Sequence, residues 1–104
     1  MKFVKPKKSL GQHFLKDNNI ANKIVDSLDR KSKNVLEIGP GMGILTKFLL
    51  KKKYNLRLVE IDGESISFLI KQLGVEKSII IENDFLKLDL NNVFSGNNFS
   101  IIGN

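Results

Sequence analysis

The residues with chemistry in them gather in three short stretches. Glu37-Ile38-Gly39-Pro40-Gly41-Met42-Gly43 has a glycine at every second position, two residues after a carboxylate. Glycine lets the backbone turn sharply there and leaves no Cβ to bar a close ligand. The dinucleotide fingerprint G-x-G-x-x-G needs its third glycine one residue later, where Ile44 stands. Taken alone, the loop also suits an ordinary glycine turn. Glu60 follows Gly43 by seventeen residues, and a carboxylate there can accept from both hydroxyls of a ribose. In Asn83-Asp84-Phe85 the acid can take the exocyclic amine of an adenine while an apolar neighbour stacks on the ring. Asp84 can equally cap the next turn, and Asp62 can be a solvated acid. Taken together, the glycine bend, Glu60 and Asp84 outline a nucleoside pocket.

Such a pocket requires elements that bring these residues to one place. Ile20, Ile24 and Leu28 recur at helical spacing after Asp17 or Asn18, either of which can cap the helix. Residues 35–39 read as a strand running into the glycine bend. Ile44, Leu45, Phe48 and Leu49 mark a helix ending in Lys51-Lys52-Lys53, where three cations suit the negative end of the helix dipole. Residues 56–61 form a second strand; Ile66, Leu69, Ile70 and Leu73 mark a helix stopped by Gly74; residues 78–82 form a third strand. After a looser stretch rich in Asn and Asp, residues 99–104 begin a fourth. This alternation predicts an α/β fold with about four parallel strands and flanking helices, the first half of a doubly wound sheet. Ligands of such sheets sit outside the carboxyl ends of the strands, where all three stretches fall.

The loop spacing and the acids favour S-adenosylmethionine over NAD. That cofactor has no pyrophosphate to cradle, and its cationic sulfonium tolerates an acid-lined pocket that would repel phosphates. An NAD-dependent oxidoreductase is the reading the glycine spacing disfavours. The chain has no cysteine and one histidine, His13, so thiol nucleophiles, disulfides and multi-histidine metal centres are excluded, and no metal is expected. No apolar run approaches the ~20 residues of a membrane span, and no secretory signal is visible; a cytoplasmic location is expected. Residues 1–33 carry nine Lys/Arg and three acids, whereas residues 34–104 are balanced. The excess starts at Lys2, Lys5, Lys7 and Lys8, in an extended arm broken by Pro6. Lysines there can engage a polyanion such as RNA, or form a solvated tail.

Lys8-Ser9-Leu10-Gly11-Gln12-His13-Phe14-Leu15, Leu36–Gly43, Val59-Glu60-Ile61-Asp62, Asn83-Asp84 and Gly103-Asn104 occur in order over nearly the whole chain. Together they resemble the ribosomal RNA adenine N6,N6-dimethyltransferases, most closely the small-subunit branch linked to kasugamycin sensitivity. The resemblance implies a Rossmann-like class I S-adenosylmethionine-dependent methyltransferase fold. The implied reaction is dimethylation of two adjacent adenosines near the 3′ end of 16S rRNA, in a 30S-type pre-ribosomal particle. It implies cofactor contacts at His13, Leu15, Gly39, Gly41, Glu60, Asp84 and Asn104, with the turn at His13 serving as a lid and not as a general base. A lone histidine in such a turn can also simply pack or hydrogen-bond.

By the same resemblance the catalytic residue is Asn104. Its carboxamide oxygen would hold an N6 hydrogen and free the amine's lone pair; a frayed terminal residue is the other reading of Asn104. The family continues into Leu-Pro-Tyr and a helical C-terminal domain. The 104 residues therefore read as an N-terminal fragment: residues 1–16 a basic arm and lid turn, and 17–104 a partial cofactor-binding domain. The intact form is expected to be monomeric. A non-catalytic rRNA-binding or assembly factor of the same ancestry is the alternative. The edge at Phe99–Ile102 is expected to lie open and invite aggregation.

Overall fold

The computed structural model describes residues 2–4, 18–28 and 33–103. Five parallel strands form one sheet: β1 (Lys2–Val4), β2 (Asn34–Ile38), β3 (Asn55–Glu60), β4 (Ile80–Glu82) and β5 (Ser100–Gly103). Their order is β1-β5-β2-β3-β4. Among the described residues the helices are α1 (Asn18–Asp26), α2 (Ile44–Leu49), α3 (Gly63–Leu73) and the single-turn α4 (Leu90–Val93).

Alternation along the strands divides the core in two. Val35, Leu56, Leu58 and Ile102 pack with Ala21 and Val25 of α1, Leu45 and Leu49 of α2, and Leu69 of α3. Their strand neighbours Leu36, Val59 and Ile101 point the other way, onto Phe94 and the half-buried Phe85, Leu88, Leu90, Val93 and Phe99. Three helices thus cover one face and the 85–99 segment covers the other. That segment carries the chain from one edge of the sheet back to β5 beside β2, so the order reverses between β2 and β5.

The four strands expected from the sequence are present. The third is shorter: residues 77–79 form a 3₁₀ turn, closed by Ile79 N–H donating to the Glu76 carbonyl (3.1 Å), and pairing with β3 begins at Leu58↔Ile80. The Asn- and Asp-rich stretch holds a second 3₁₀ turn at 85–87 and α4.

The expectation of an open edge is corrected. Lys2, Phe3 and Val4 pair in parallel with Ser100, Ile101 and Ile102. Part of the segment read as an extended arm is therefore the strand that covers β5. Among the described residues no helix is long and apolar enough to cross a membrane.

Candidate cofactor site

β2 delivers the chain to the bend. Gly39, Gly41 and Gly43 all take positive φ (59°, 56° and 79°), a conformation that L side chains rarely adopt. Gly43 also lies against α3: a Cβ built there would stand 2.2 Å from Leu73 Cδ1 and 3.1 Å from Leu69 Cδ2. A Cβ at Gly39 would meet nothing within 4 Å. Gly43 is thus needed for packing, whereas the space over Gly39 stands open.

Glu60 closes β3 and is 8% exposed. Its Oε1 accepts the Gly41 N–H and its Oε2 accepts the N–H groups of Ile61 and Asp62, each at 3.0 Å. A carboxylate offers about four acceptor positions, so one remains on Oε1 while the loop is held. A ribose offering two hydroxyls would take that position and compete with Gly41 for the other.

Asp62 caps α3, accepting from the Ser65 hydroxyl (2.7 Å) and backbone N–H (3.0 Å). Those bonds, the hydroxyl's first, hold its carboxyl below the usual range.

The strand ends are adjacent. Glu60 is paired with Glu82, and the Glu60 carbonyl accepts the Asn83 N–H (3.2 Å), so Asp84 follows on the same rim. Its carboxylate accepts the Leu86 N–H (3.0 Å), capping the 3₁₀ turn. Asp84 in this structure does the capping work that its sequence also allowed.

Two features of the rim escaped the sequence reading. Met42, Ile61 and Leu86 are 60%, 66% and 88% exposed, one on each successive rim loop. Phe85, the expected stacking neighbour of Asp84, instead packs on the core. Isolated exposed apolar residues are ordinary; these three lie on the loops that carry Gly41, Glu60 and Asp84. Their signal was position: Met42 and Ile61 directly follow Gly41 and Glu60, and Leu86 stands two residues after Asp84.

The second feature is the pairing of Glu37, an acid already marked in the sequence and 1% exposed, with the fully buried Thr46, whose hydroxyl donates to its Oε1 at 2.5 Å. Burial pushes the Glu37 carboxyl up to about 8; Thr46 opposes this and the nearby Glu60 charge adds to it.

The structure brings Gly39, Gly41, Glu60 and Asp84 to one rim. Lys2 lies in β1, while Lys5, Lys7, Lys8, His13, Leu15 and Asn104 fall outside the described residues. No group of three metal-ligating side chains occurs among the described residues.

A parallel sheet with a glycine bend after β2 and an acid closing β3 is a Rossmann-like frame. The glycopeptide N-methyltransferase MtfA, in a structure complexed with (S)-adenosyl-L-methionine, shares this fold. It matches with a TM-score of 0.57 over 71% of this chain and 35% of that one, at 20% identity.

The sequence profile of the ribosomal RNA adenine dimethylases matches residues 4–104. Ribosomal RNA small subunit methyltransferase A of Parabacteroides distasonis is 56% identical, covering all of this chain and 39% of that protein. The protein of the same name from Flavobacterium johnsoniae is 53% identical, covering all of this chain and 40% of its own length. The chain belongs to the ribosomal RNA adenine dimethylase family, and it spans about 40% of the length of these curated relatives.

Proposed function

We propose that this chain is the S-adenosylmethionine-binding part of an enzyme that dimethylates N6 of two adjacent adenosines near the 3′ end of small-subunit rRNA. The observation that carries the reading is the contact between Glu60 and the Gly41 N–H (3.0 Å). It joins the ribose-accepting carboxylate to a bend free of side chains. Met42, Ile61 and Leu86 give the purine apolar cover, and an Asp84 that exchanged its capping bond would accept the exocyclic amine. The cofactor supplies an electrophilic methyl group. The protein's task is to bind the adenosyl half, exclude water and leave that methyl facing the adenosine.

In this reading His13 and Leu15 close over the cofactor's amino-acid end, and Asn104 accepts an N6 hydrogen so that the amine's lone pair points at the methyl carbon. Lys2, Lys5, Lys7 and Lys8 contact rRNA phosphates. The substrate is the 30S-type particle, the compartment is the cytoplasm, the part of residues 1–16 that follows β1 acts as arm and lid, and the intact enzyme works as a monomer.

The test is to incubate undermethylated small subunits with labelled S-adenosylmethionine and the complete gene product. N6,N6-dimethyladenosine at two adjacent positions is expected. Particle binding without label transfer would contradict the enzymatic reading and favour an assembly factor.

A further inference from the structure

We propose that Glu37 and Thr46 form a clasp across the glycine bend, a positioning pair that holds Gly39–Gly43 in the shape that receives the cofactor. The inference rests on the functional reading above and adds two residues to it. Alternation along β2 puts Glu37 on the same face as Val35, beneath α2. Thr46 lies in the first turn of α2. A threonine within a helix usually returns its hydroxyl to a carbonyl of the preceding turn; here it reaches back across the bend to a carboxyl nine positions earlier.

The span it closes needs closing. Three glycines of positive φ lie between the two residues, and glycine loses more conformational freedom on ordering than any other residue. The Glu60 contact fixes the tip of the bend at Gly41; the Glu37–Thr46 bond fixes its base, where β2 ends and α2 starts.

An acid at this place invites a different reading, as a charge partner for a cationic ligand. The geometry opposes it: the side chain is 1% exposed, and its hydrogen-bond partner among the described residues is Thr46. A carboxyl raised to about 8 is also uncharged at neutral pH. The clasp works as a neutral acid paired with a hydroxyl, and its function needs shape and hydrogen bonding without charge.

The test uses the complete gene product with Thr46→Val, Thr46→Ser, Glu37→Leu and Glu37→Gln. KM for S-adenosylmethionine and kcat are measured on undermethylated small subunits, and hydrogen exchange is followed at the amides of Gly39, Gly41, Met42 and Gly43. Thr46→Val and Glu37→Leu are expected to raise KM about tenfold or more, with kcat changed by less than about threefold. They are also expected to speed exchange in the bend. Thr46→Ser and Glu37→Gln, which keep the bond, are expected to restore both.

If Glu37→Gln is as impaired as Glu37→Leu, charge is what matters and the clasp is refuted. Unchanged KM and exchange in Thr46→Val refute it as well. Thr46→Val is nearly isosteric, so it decides the question if Glu37→Leu does not fold. If the wild type itself neither binds nor transfers, the functional reading has failed; exchange in Thr46→Val against Thr46→Ser still decides the clasp.

Discussion

Gly39 and Gly43 share a backbone conformation and differ in what lies beside them, so the same substitution should do different things. Gly43→Ala meets both the positive-φ penalty and the side chains of Leu69 and Leu73. A loss of roughly 2–4 kcal/mol in urea unfolding is expected. Gly39→Ala meets only the first, roughly 1–2 kcal/mol, but places a methyl in the open space that the proposed function gives to the cofactor; its effect should fall on cofactor KM. Equal stability losses at the two positions would contradict this division. The glycine spacing announced a bend, yet which glycine serves packing and which serves access depends on α3, twenty and more residues downstream.

Glu37 adds a pH dependence. Below its ordinary value of 4.5 the carboxyl is protonated in both folded and unfolded chains. Between 4.5 and about 8 the unfolded chain gives up a proton that the folded chain keeps, so stability falls as pH rises; above about 8 this contribution stops changing. The slope is at most roughly 1.4 kcal/mol per pH unit. Denaturant unfolding of wild type and Glu37→Gln, compared between about pH 5.5 and about pH 7.5, should show the wild type losing stability relative to the variant. A constant difference would mean that the folded carboxyl is already ionised. An acid beside the glycine bend was visible in the sequence, but its neutrality was not, because that depends on burial beneath α2 and on the nearby Glu60 charge, against the opposing pull of Thr46.

Among the elements, the edge strand departs most from expectation. The sequence pattern of β5 gives an apolar strand whose outer partner cannot be inferred locally. The structure supplies that partner from about a hundred residues away, at Lys2–Val4. Deleting residues 1–5 from the 104-residue chain should therefore expose the outer edge of Ser100–Ile102 and promote edge-to-edge association. Light scattering at equal concentration should rise for the deletion; unchanged scattering would show that β1 does not protect this edge.

The strands that alternate or run apolar were legible, with boundaries good to about two residues. The 83–98 segment was not, because its order comes from polar turns. Asp84 and Asp89 each accept an N–H two residues on, and the apolar residues between and after them cover the second face of the sheet. Composition reads those same residues as loop.

For the molecule as a whole, charge and site divide along the chain. The described rim carries the acids and glycines, and the lysine excess belongs to the first third. If that excess holds rRNA, replacing Lys5, Lys7 and Lys8 by Ala should weaken particle binding and flatten its salt dependence by roughly one unit of slope per lysine engaged. The KM for S-adenosylmethionine should not change. A filter-binding titration over a range of salt concentrations measures this, and an unaltered slope would assign the cluster to solvent.

In the proposed function one carboxylate, Glu60, both steadies the bend and receives the ribose. Calorimetric titration of S-adenosylmethionine into the complete gene product and into Glu60→Ala examines it most directly. One site per chain is predicted for the wild type, with no heat from NAD, and affinity about tenfold or more weaker in the variant. Equal affinity in the two proteins, or binding of NAD in place of S-adenosylmethionine, would contradict it.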